Sequence, residues 1–396
     1  MNQERFDYRT GILGSPLEVG RDEWNALLAR QAQPTPFLRH EFLAALHETH
    51  CAVAETGWAP RFVTLTDAST NRLAAAAPVY LKGHSYGEYV FDWAWADAYK
   101  RNGLEYYPKL LCAVPFTPVQ GTRLLATDES ARRHLAATLV AFAEQADVSS
   151  LHVLFPTADE AQALADVGTM LREGVQFHWI NAGYRDFDDF LSTLEQKKRK
   201  NIRAERRKVH EAGVTFRRVR GEDATDAEWR FFNRCYRQTY REHFSTPYLN
   251  LDFFRRIGET MPENLLLVIA EREGKPIASS LVVYQHGETD QRGTAGPSGT
   301  LYGRYWGALE HVPCLHFETA YYQPLEFCIE EKLATFEGGA QGEHKMARGF
   351  LPTATHSAHW LAHPAFTDAV ARFLSSETET IHAYVDELRE HNPFRS

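Results

Sequence analysis

The sequence predicts an α+β protein of two successive lobes, each a mixed, mostly antiparallel sheet flanked by helices. Three observations lead there. At 396 residues the chain is longer than one ordinary hydrophobic core serves. Its composition, 44% hydrophobic and 24% charged, is that of a folded chain rather than a disordered one. The order helix, antiparallel strands, helix, strand occurs twice, which places one lobe over residues 1–184 and a second over 185–396. The recurrence is one of pattern; no sequence repeat accompanies it.

The elements follow from local spacing. Apolar residues at helical intervals mark EWNALLAR (23–30) and FLRHEFLAALHET (37–49). Extended stretches come next at 61–67, 73–85 and 89–99, the last being YVFDWAWADAY. Helical spacing returns over 129–146 and precedes a short apolar strand at 151–156. In the second half, a helix over 226–244 leads into 264–290, read as two strands around a Glu-Gly-Lys-Pro turn with a third beginning after His286-Gly287. A helix over 316–333 and a strand, ATFEG, then enter FEGGAQGEHKMARGFLP (336–352).

Charge and cysteine content narrow the classes. A net charge of −9 argues against a general nucleic-acid coat, though it allows a local basic patch. The five cysteines include no C-x-x-C pair, which fits a reducing compartment rather than a disulfide framework or a zinc finger. The N-terminal residues lack the apolar core of a signal peptide, and no apolar run approaches the length of a membrane span. The expected location is the cytoplasm. Aromatics at 12% suggest pockets with flat walls and polar tips.

The densest charge feature is QKKRKNIRAERRK (196–208), inside a helix expected over about 186–212. It carries eight Lys or Arg and one Glu. Lys197, Arg199, Lys200, Arg203, Arg206, Arg207 and Lys208 fall within an arc of about 200° at helical spacing. Leu191, Leu194, Ile202 and Val209 fall on the opposite side, and Gly213 supplies a C-cap. Such a face is either solvated or holds an anion; Lys200, Arg203 and Arg207 are the candidate phosphate contacts.

K-K-R-K-N-I-R followed by K-V-H-E-A-G-V resembles the basic helix of the Fem-type aminoacyl transferases. The chain is similar over nearly its whole length to the FemAB-like N-acyltransferases of peptidoglycan biosynthesis or recognition. The blocks that carry the likeness are GHSYGEYVFDWAWADAY (83–99), GLEYYPKLLCAVPFTPVQGTRLL (103–125), YGRYWG (302–307), LHFETAYYQPLEFCIE (315–330) and EGGAQGEHKMARGFLPTATHSAHW (337–360). The resemblance implies two GNAT-like lobes and transfer of an activated acyl or aminoacyl group to an amine of a peptide-like or cell-wall-type acceptor. It also implies a phosphate-bearing donor, either aminoacyl-tRNA or acyl-CoA, with tRNA among the candidate partners and no tightly bound cofactor. An acyl-CoA-dependent N-acetyltransferase and a non-catalytic muropeptide-recognition protein are the alternatives. Two departures are evident: the sequence shows neither the long heptad arm of several Fem enzymes nor the Q/R-x-x-G-x-G/A loop usual for coenzyme A.

Acyl transfer to an amine needs a proton acceptor, oxyanion donors and a proton for the leaving group. In 336–352, Gly338, Gly339 and Gly342 would let backbone N–H groups approach a ligand. Glu343 and His344 are the candidate proton carriers, and Lys345 and Arg348 the candidate anion binders. Tyr321 is a candidate acid, with Glu318 beside it; both alternatively read as wall and helix-start residues. In the first lobe, Asp92, Trp95 and Asp97 could grip a substrate ammonium, or simply pack. His356 and His359 form H-x-x-H without a third ligand at matching spacing, so no metal is expected.

Overall fold

The computed structural model describes residues 7–287, 296–339 and 342–395, with the side chain of Glu343 outside that set. The chain begins with β1 (Tyr8–Leu13), α1 (Arg21–Leu28), α2 (His40–Glu48), β2 (Trp58–Pro60), β3 (Phe62–Asp67), β4 (Leu73–Ala77) and β5 (Val79–Lys82). Next come α3 (Trp93–Arg101), β6 (Lys109–Cys112), β7 (Leu125–Ala126), α4 (Glu129–Gln145), β8 (Ser150–Leu154), α5 (Ala158–Ala165) and β9 (Met170–Ile180). The second half runs α6 (Phe187–Thr193), α7 (Gln196–Glu211), β10 (Val214–Arg220), α8 (Asp226–Glu242), α9 (Leu251–Thr260), β11 (Leu265–Arg272), β12 (Lys275–His286) and β13 (Gly299–Ala308). It closes with α10 (Leu315–Phe317), a π turn (Glu318–Tyr322), α11 (Gln323–Glu330), β14 (Thr335–Glu337), a 3-10 turn (Glu343–Arg348), β15 (Leu351–Leu361) and α12 (Pro364–Glu390).

Local chemistry explains most starts and stops. Thr157 with Glu160 and Thr225 with Glu228 form capping boxes that open α5 and α8. Asp128, Asp186 and Asn250 cap α4, α6 and α9 through their side chains. Gly213, at φ +74°, follows α7 in the left-handed conformation that ends a helix. Trp229, Phe232 and Tyr236 recur at helical spacing on α8 and are buried, so packing reinforces that helix.

The chain divides into two compact units, residues 1–174 with 354–383, and residues 175–353 with 384–396. The sequence pattern put the division at 184/185; in the structure it falls within β9, and β15 and α12 also contribute to both units. In the first unit the strand orders are β1-β3-β4-β7 and β15-β8-β6-β5-β2. Antiparallel neighbours dominate, and β6 pairs with β8 in parallel. The second unit orders its strands β10-β11-β12-β13-β14-β9, antiparallel except for the parallel β13–β14 pair. The fold class is therefore α+β, with mixed, mostly antiparallel sheets flanked by helices.

One expected strand is a helix. Residues 93–101 of YVFDWAWADAY form α3, because three alanines favour helix and the i,i+4 pair Trp95 and Tyr99 buries one face against Tyr106, Val370 and Leu374. The alternation of aromatic and small residues that suggested a strand also fits this stripe. The third strand of 264–290 begins at Gly299, and residues 288–290 lie outside the described set.

The first unit is pinned by a buried carboxylate. Glu160 accepts hydrogen bonds from the Arg123 and Leu124 N–H groups, from Thr157 N–H and from Thr122 Oγ1. The buried Arg123 guanidinium in turn donates to the Leu154, Gly121, Thr122 and Val119 carbonyls. Glu160→Ala would strand several buried donors, and we expect it to cost roughly 2–4 kcal/mol in urea denaturation, with Glu160→Gln costing less.

Candidate active site

The basic run forms α7 and buries Ile202 and Val209, while Leu191 lies on α6 and Leu194 follows it, both buried. Lys197, Lys200, Arg203, Arg207 and Lys208 are exposed. Part of the positive charge is answered by other elements. Arg203 pairs with Asp188 at 2.9 Å, and Arg207 lies 3.8 Å from Glu211. Among the described residues, Lys197, Lys198, Lys200 and Lys208 make no ion pair. Two open clefts flank Arg206, one of about 480 Å³ that includes Arg185, Phe187 and Arg203, the other of about 560 Å³ that includes Arg207, His210 and Phe216.

Glu318 is engaged by other side chains. Its buried carboxylate receives Arg206 at 2.9 and 3.0 Å and the Gln323 amide at 2.9 Å. It anchors the basic helix to the π turn, a distortion of helical backbone that is frequent at functional sites. Arg348, expected to bind substrate, is buried and held in the same manner. Its guanidinium donates to both oxygens of Glu205 at 2.8 and 2.9 Å and to the His344 carbonyl at 2.7 Å, and it stacks 3.5 Å from the Phe317 ring centre. The Tyr322 hydroxyl also donates to Glu205. Glu205, the one acid in the basic run, escaped sequence reasoning because its partner lies 143 residues away.

The glycine stretch gathers polar groups behind β14. Gly339 and Gly342 adopt φ +88° and +119°, a backbone open to glycine. A Cβ on Gly338 would sit 3.0 Å from Phe350 and 3.2 Å from the Lys345 stem, so that glycine makes room for the lysine. Lys345 is buried and its Nζ donates to the Gly339 carbonyl at 2.8 Å. Burial pulls its pKa down to about 8. His344 is exposed, with Nε2 3.4 Å from the Tyr321 hydroxyl; burial and the Arg348 and Lys345 charges lower its pKa. Tyr321 is buried and its pKa rises to about 12, so its phenol stays protonated near neutrality. The side chain of Glu343 lies outside the described residues.

Two histidines join this group. His316 stacks on Trp306 at 4.5 Å between ring centres, and burial lowers its pKa to about 4, with the His344, Arg348 and Lys345 charges adding to the effect. His178, on β9, is brought to about 4 by burial and then by Lys345, with its Nε2 3.9 Å from Glu337. His178 and Glu337 were not among the expected site residues: no strand was expected over β9, which carries His178, and Glu337 was read only as part of the strand ATFEG. Both imidazoles are neutral near pH 7, leaving Lys345 as the amine here whose charge changes closest to neutrality.

The strands around the site part company. β13 and β14 pair only through Thr300–Thr335, Leu301–Phe336 and Tyr302–Glu337, while β13 continues to Ala308. The β12–β13 register shifts between Leu281 and Val282, opposite Tyr305 and Gly303, so a bulge at Arg304 sits where the two parallel strands separate.

In the first unit the three expected ligand residues diverge. Asp92 is buried at the start of α3, bonded by Tyr106 at 2.6 Å and by Lys109. Trp95 is buried against His152 and His359, and Asp97 is exposed. Asp92 and Trp95 thus belong to the interior rather than to an open ammonium site. His356 and His359 lie on β15, and the His359 Nδ1 bonds the His152 Nδ1 at 2.7 Å. Among the described residues no group of three or more His, Cys, Asp or Glu is arranged to hold a metal ion.

Burial disfavours the charged form of Lys345, so its cost to folding is present below about pH 8 and disappears as pH rises through the ordinary lysine value of 10.5. We expect wild-type stability to gain on Lys345→Met between about pH 8 and about pH 10 in urea denaturation. A difference that stays flat across that interval contradicts the assignment.

A family match over residues 15–396 carries the description FemAB-like, peptidoglycan biosynthesis/recognition. No curated protein sequence matches the chain. Among solved structures it is similar to a C-terminal domain assigned to a lysylphosphatidylglycerol synthetase from Agrobacterium fabrum, at 11% identity and TM-score 0.54, over 91% of this chain and 97% of that one. L-PGS of Bacillus licheniformis gives 12% identity and TM-score 0.51 over 90% and 97%. A tandem GNAT protein from the clavulanic acid biosynthesis pathway gives 13% identity and TM-score 0.46 over 90% and 99%. The two synthetase structures share the fold with this chain. Among the described residues no helix is long and apolar enough to cross a membrane. By the extent of the family match, the chain belongs to the FemAB-like family of peptidoglycan biosynthesis/recognition.

Proposed function

We propose that the protein is an N-acyltransferase that moves an activated acyl or aminoacyl group to an amine of a peptide-like or cell-wall-type acceptor. The observation that carries this reading is the buried Lys345, whose amine has lowered basicity and no carboxylate partner among the described residues, in the same cluster as the Tyr321–His344 pair. In its neutral form Lys345 is a proton acceptor rather than an anion binder. The nitrogen of the acceptor amine attacks the acyl carbon, forming the C–N bond. The C–O bond of an aminoacyl ester, or the C–S bond of a thioester, then breaks. Lys345 takes the proton released by nitrogen, and Tyr321 gives its hydroxyl proton to the leaving oxygen or sulfur. Solvent returns the proton from Lys345 to Tyr321, with His344 beside the phenol as the exposed contact.

The edge of β13 past Tyr302 offers backbone donors and acceptors to an extended donor or acceptor segment, as an added strand would use them. The exposed cations of α7 would meet the donor's phosphates, whether those of a tRNA or of coenzyme A. Arg206 and Arg348 are held by Glu318 and Glu205.

Purified protein, a labelled donor (aminoacyl-tRNA or acetyl-CoA) and muropeptide amines make the test. Lys345→Met and Tyr321→Phe should each lower turnover by roughly 10²–10⁴-fold. The triple replacement of Lys200, Arg203 and Arg207 by Ala should raise KM for the donor with little change in kcat. Transfer from neither donor, with muropeptide still bound, would favour the non-catalytic recognition reading. Normal turnover in Lys345→Met would remove the lysine from the proton path.

A further inference from the structure

In the first unit, the connection between β5 and α3, residues 83–92, has its polarity reversed. Its buried side chains are Ser85, Glu88 and Asp92. Beneath them lie two fully buried lysines, Lys82 and Lys109. Lys109 Nζ donates to Ser85 Oγ and Glu88 Oε2, each at 2.8 Å, and to the Asp92 carboxylate. Lys82 Nζ sits 3.5 Å over the Trp58 ring and 3.8 Å from Glu88 Oε1. The aromatic side chains of the same segment face outward instead: Tyr86 is 58% exposed, Phe91 56% and the adjoining Trp93 40%. Stability alone gives no reason for this exchange, because four desolvated charges are costly and large rings are the natural filling of an interior.

The outward rings are held rigidly. His84, Tyr86 and Trp93 form a continuous chain, with centroids 5.3 and 5.2 Å apart and planes inclined at 63° and 60°, so each ring presents its own face. The Tyr86 N–H donates to His84 Nδ1 at 3.2 Å, and His84 Nε2 lies 3.0 Å from the Thr56 carbonyl. That pair of contacts requires the proton on Nε2 and leaves the imidazole uncharged. The Tyr86 carbonyl accepts from Lys82, the Gly87 carbonyl from the Phe116 N–H and the Phe91 carbonyl from Arg172. Rings fixed before binding lose little conformational entropy on binding.

We propose that His84, Tyr86 and Trp93 form a saccharide-binding platform on the first unit. The rings are preformed and without net charge, so they offer no cation to a phosphate or carboxylate. The phenol O–H of Tyr86 and the indole N–H of Trp93 would be stranded against a wholly apolar partner. A pyranose matches both properties. Its C–H face carries partial positive charge toward the negative ring face, and its hydroxyls reach the polar tips. The buried Lys–Glu–Lys–Asp cluster serves as the rigid base of the platform.

The probe is a β-1,4-linked tetramer of N-acetylglucosamine, with binding followed by calorimetry and by saturation transfer to the sugar protons. Tyr86→Ala and Trp93→Ala should each weaken binding by about tenfold or more, and Trp93→Phe should retain most of it. Both positions are exposed, so thermal melts of the variants should match wild type. Absence of tetramer binding by wild type, or equal binding by the two Ala variants, overturns the proposal. So does flotation on phosphatidylglycerol vesicles that disappears in Trp93→Ala while the tetramer remains unbound. No acyl donor enters this assay, so its result stands apart from that of the transfer reaction.

Discussion

Two adjacent residues of α7 hold the second unit's candidate site in place. Glu205 reaches Arg348 and Tyr322, and Arg206 reaches Glu318 and Glu326. The two bonds have opposite polarity, so a shift of the helix along its axis cannot satisfy one by exchanging partners with the other. Arg348 and Glu318 are nearly fully buried, and removing the partner of such a charge costs about 3–5 kcal/mol by comparison with other buried pairs. Through these bonds the π turn with Tyr321 and the 3-10 turn with His344 and Lys345 share one support. The basic helix is therefore a structural member first, and only its lysines and outermost arginines remain for a ligand.

That division resolves an apparent excess of charge. A run carrying eight cations and one anion would repel itself if it were simply solvated. Arg203, Arg206 and Arg207 each meet a carboxylate, and Arg199 meets the Ser192 and Leu194 carbonyls. Lys345 is treated differently. It is buried against a glycine carbonyl, and its proton becomes easier to lose. The neighbouring His178 and His316 are neutral for the same reason, desolvation, which favours the uncharged form of every base in this pocket.

The first unit uses interior charge for support as well. Glu160 organises backbone N–H groups around α5, and the Lys82–Glu88–Lys109–Asp92 cluster underlies an irregular segment that no ladder or helix stabilises. From Asp92 the bonds continue through Tyr106 to His152, His359 and Ser357. The Tyr106 hydroxyl donates to Asp92, and His152 Nε2 lies 3.0 Å from that hydroxyl and 2.9 Å from Ser150 Oγ. Such a chain ties β8 to β15 beneath Trp95 of α3.

The fold class, the basic helix and most helices and hairpins are legible in the sequence, because those rest on periodicity and capping within a few residues. Thr225 with Glu228 and the β11–β12 hairpin are local facts. The sequence also marked the 336–352 stretch, where Gly339, Gly342 and Gly349 take backbone conformations that other residues avoid. Tertiary structure decided the rest. The segment 89–99 satisfied two periods at once, and burial of Trp95 with Tyr99 selected the helix. Glu318 and Arg348 are chemically able to act on a substrate; only their distant partners, Arg206 and Glu205, show that they are already engaged. Lys345 reads as a cation in any sequence, and only its burial brings its pKa down to about 8. Local spacing fixes secondary structure, but the state of an ionisable group depends on what the folded chain brings beside it.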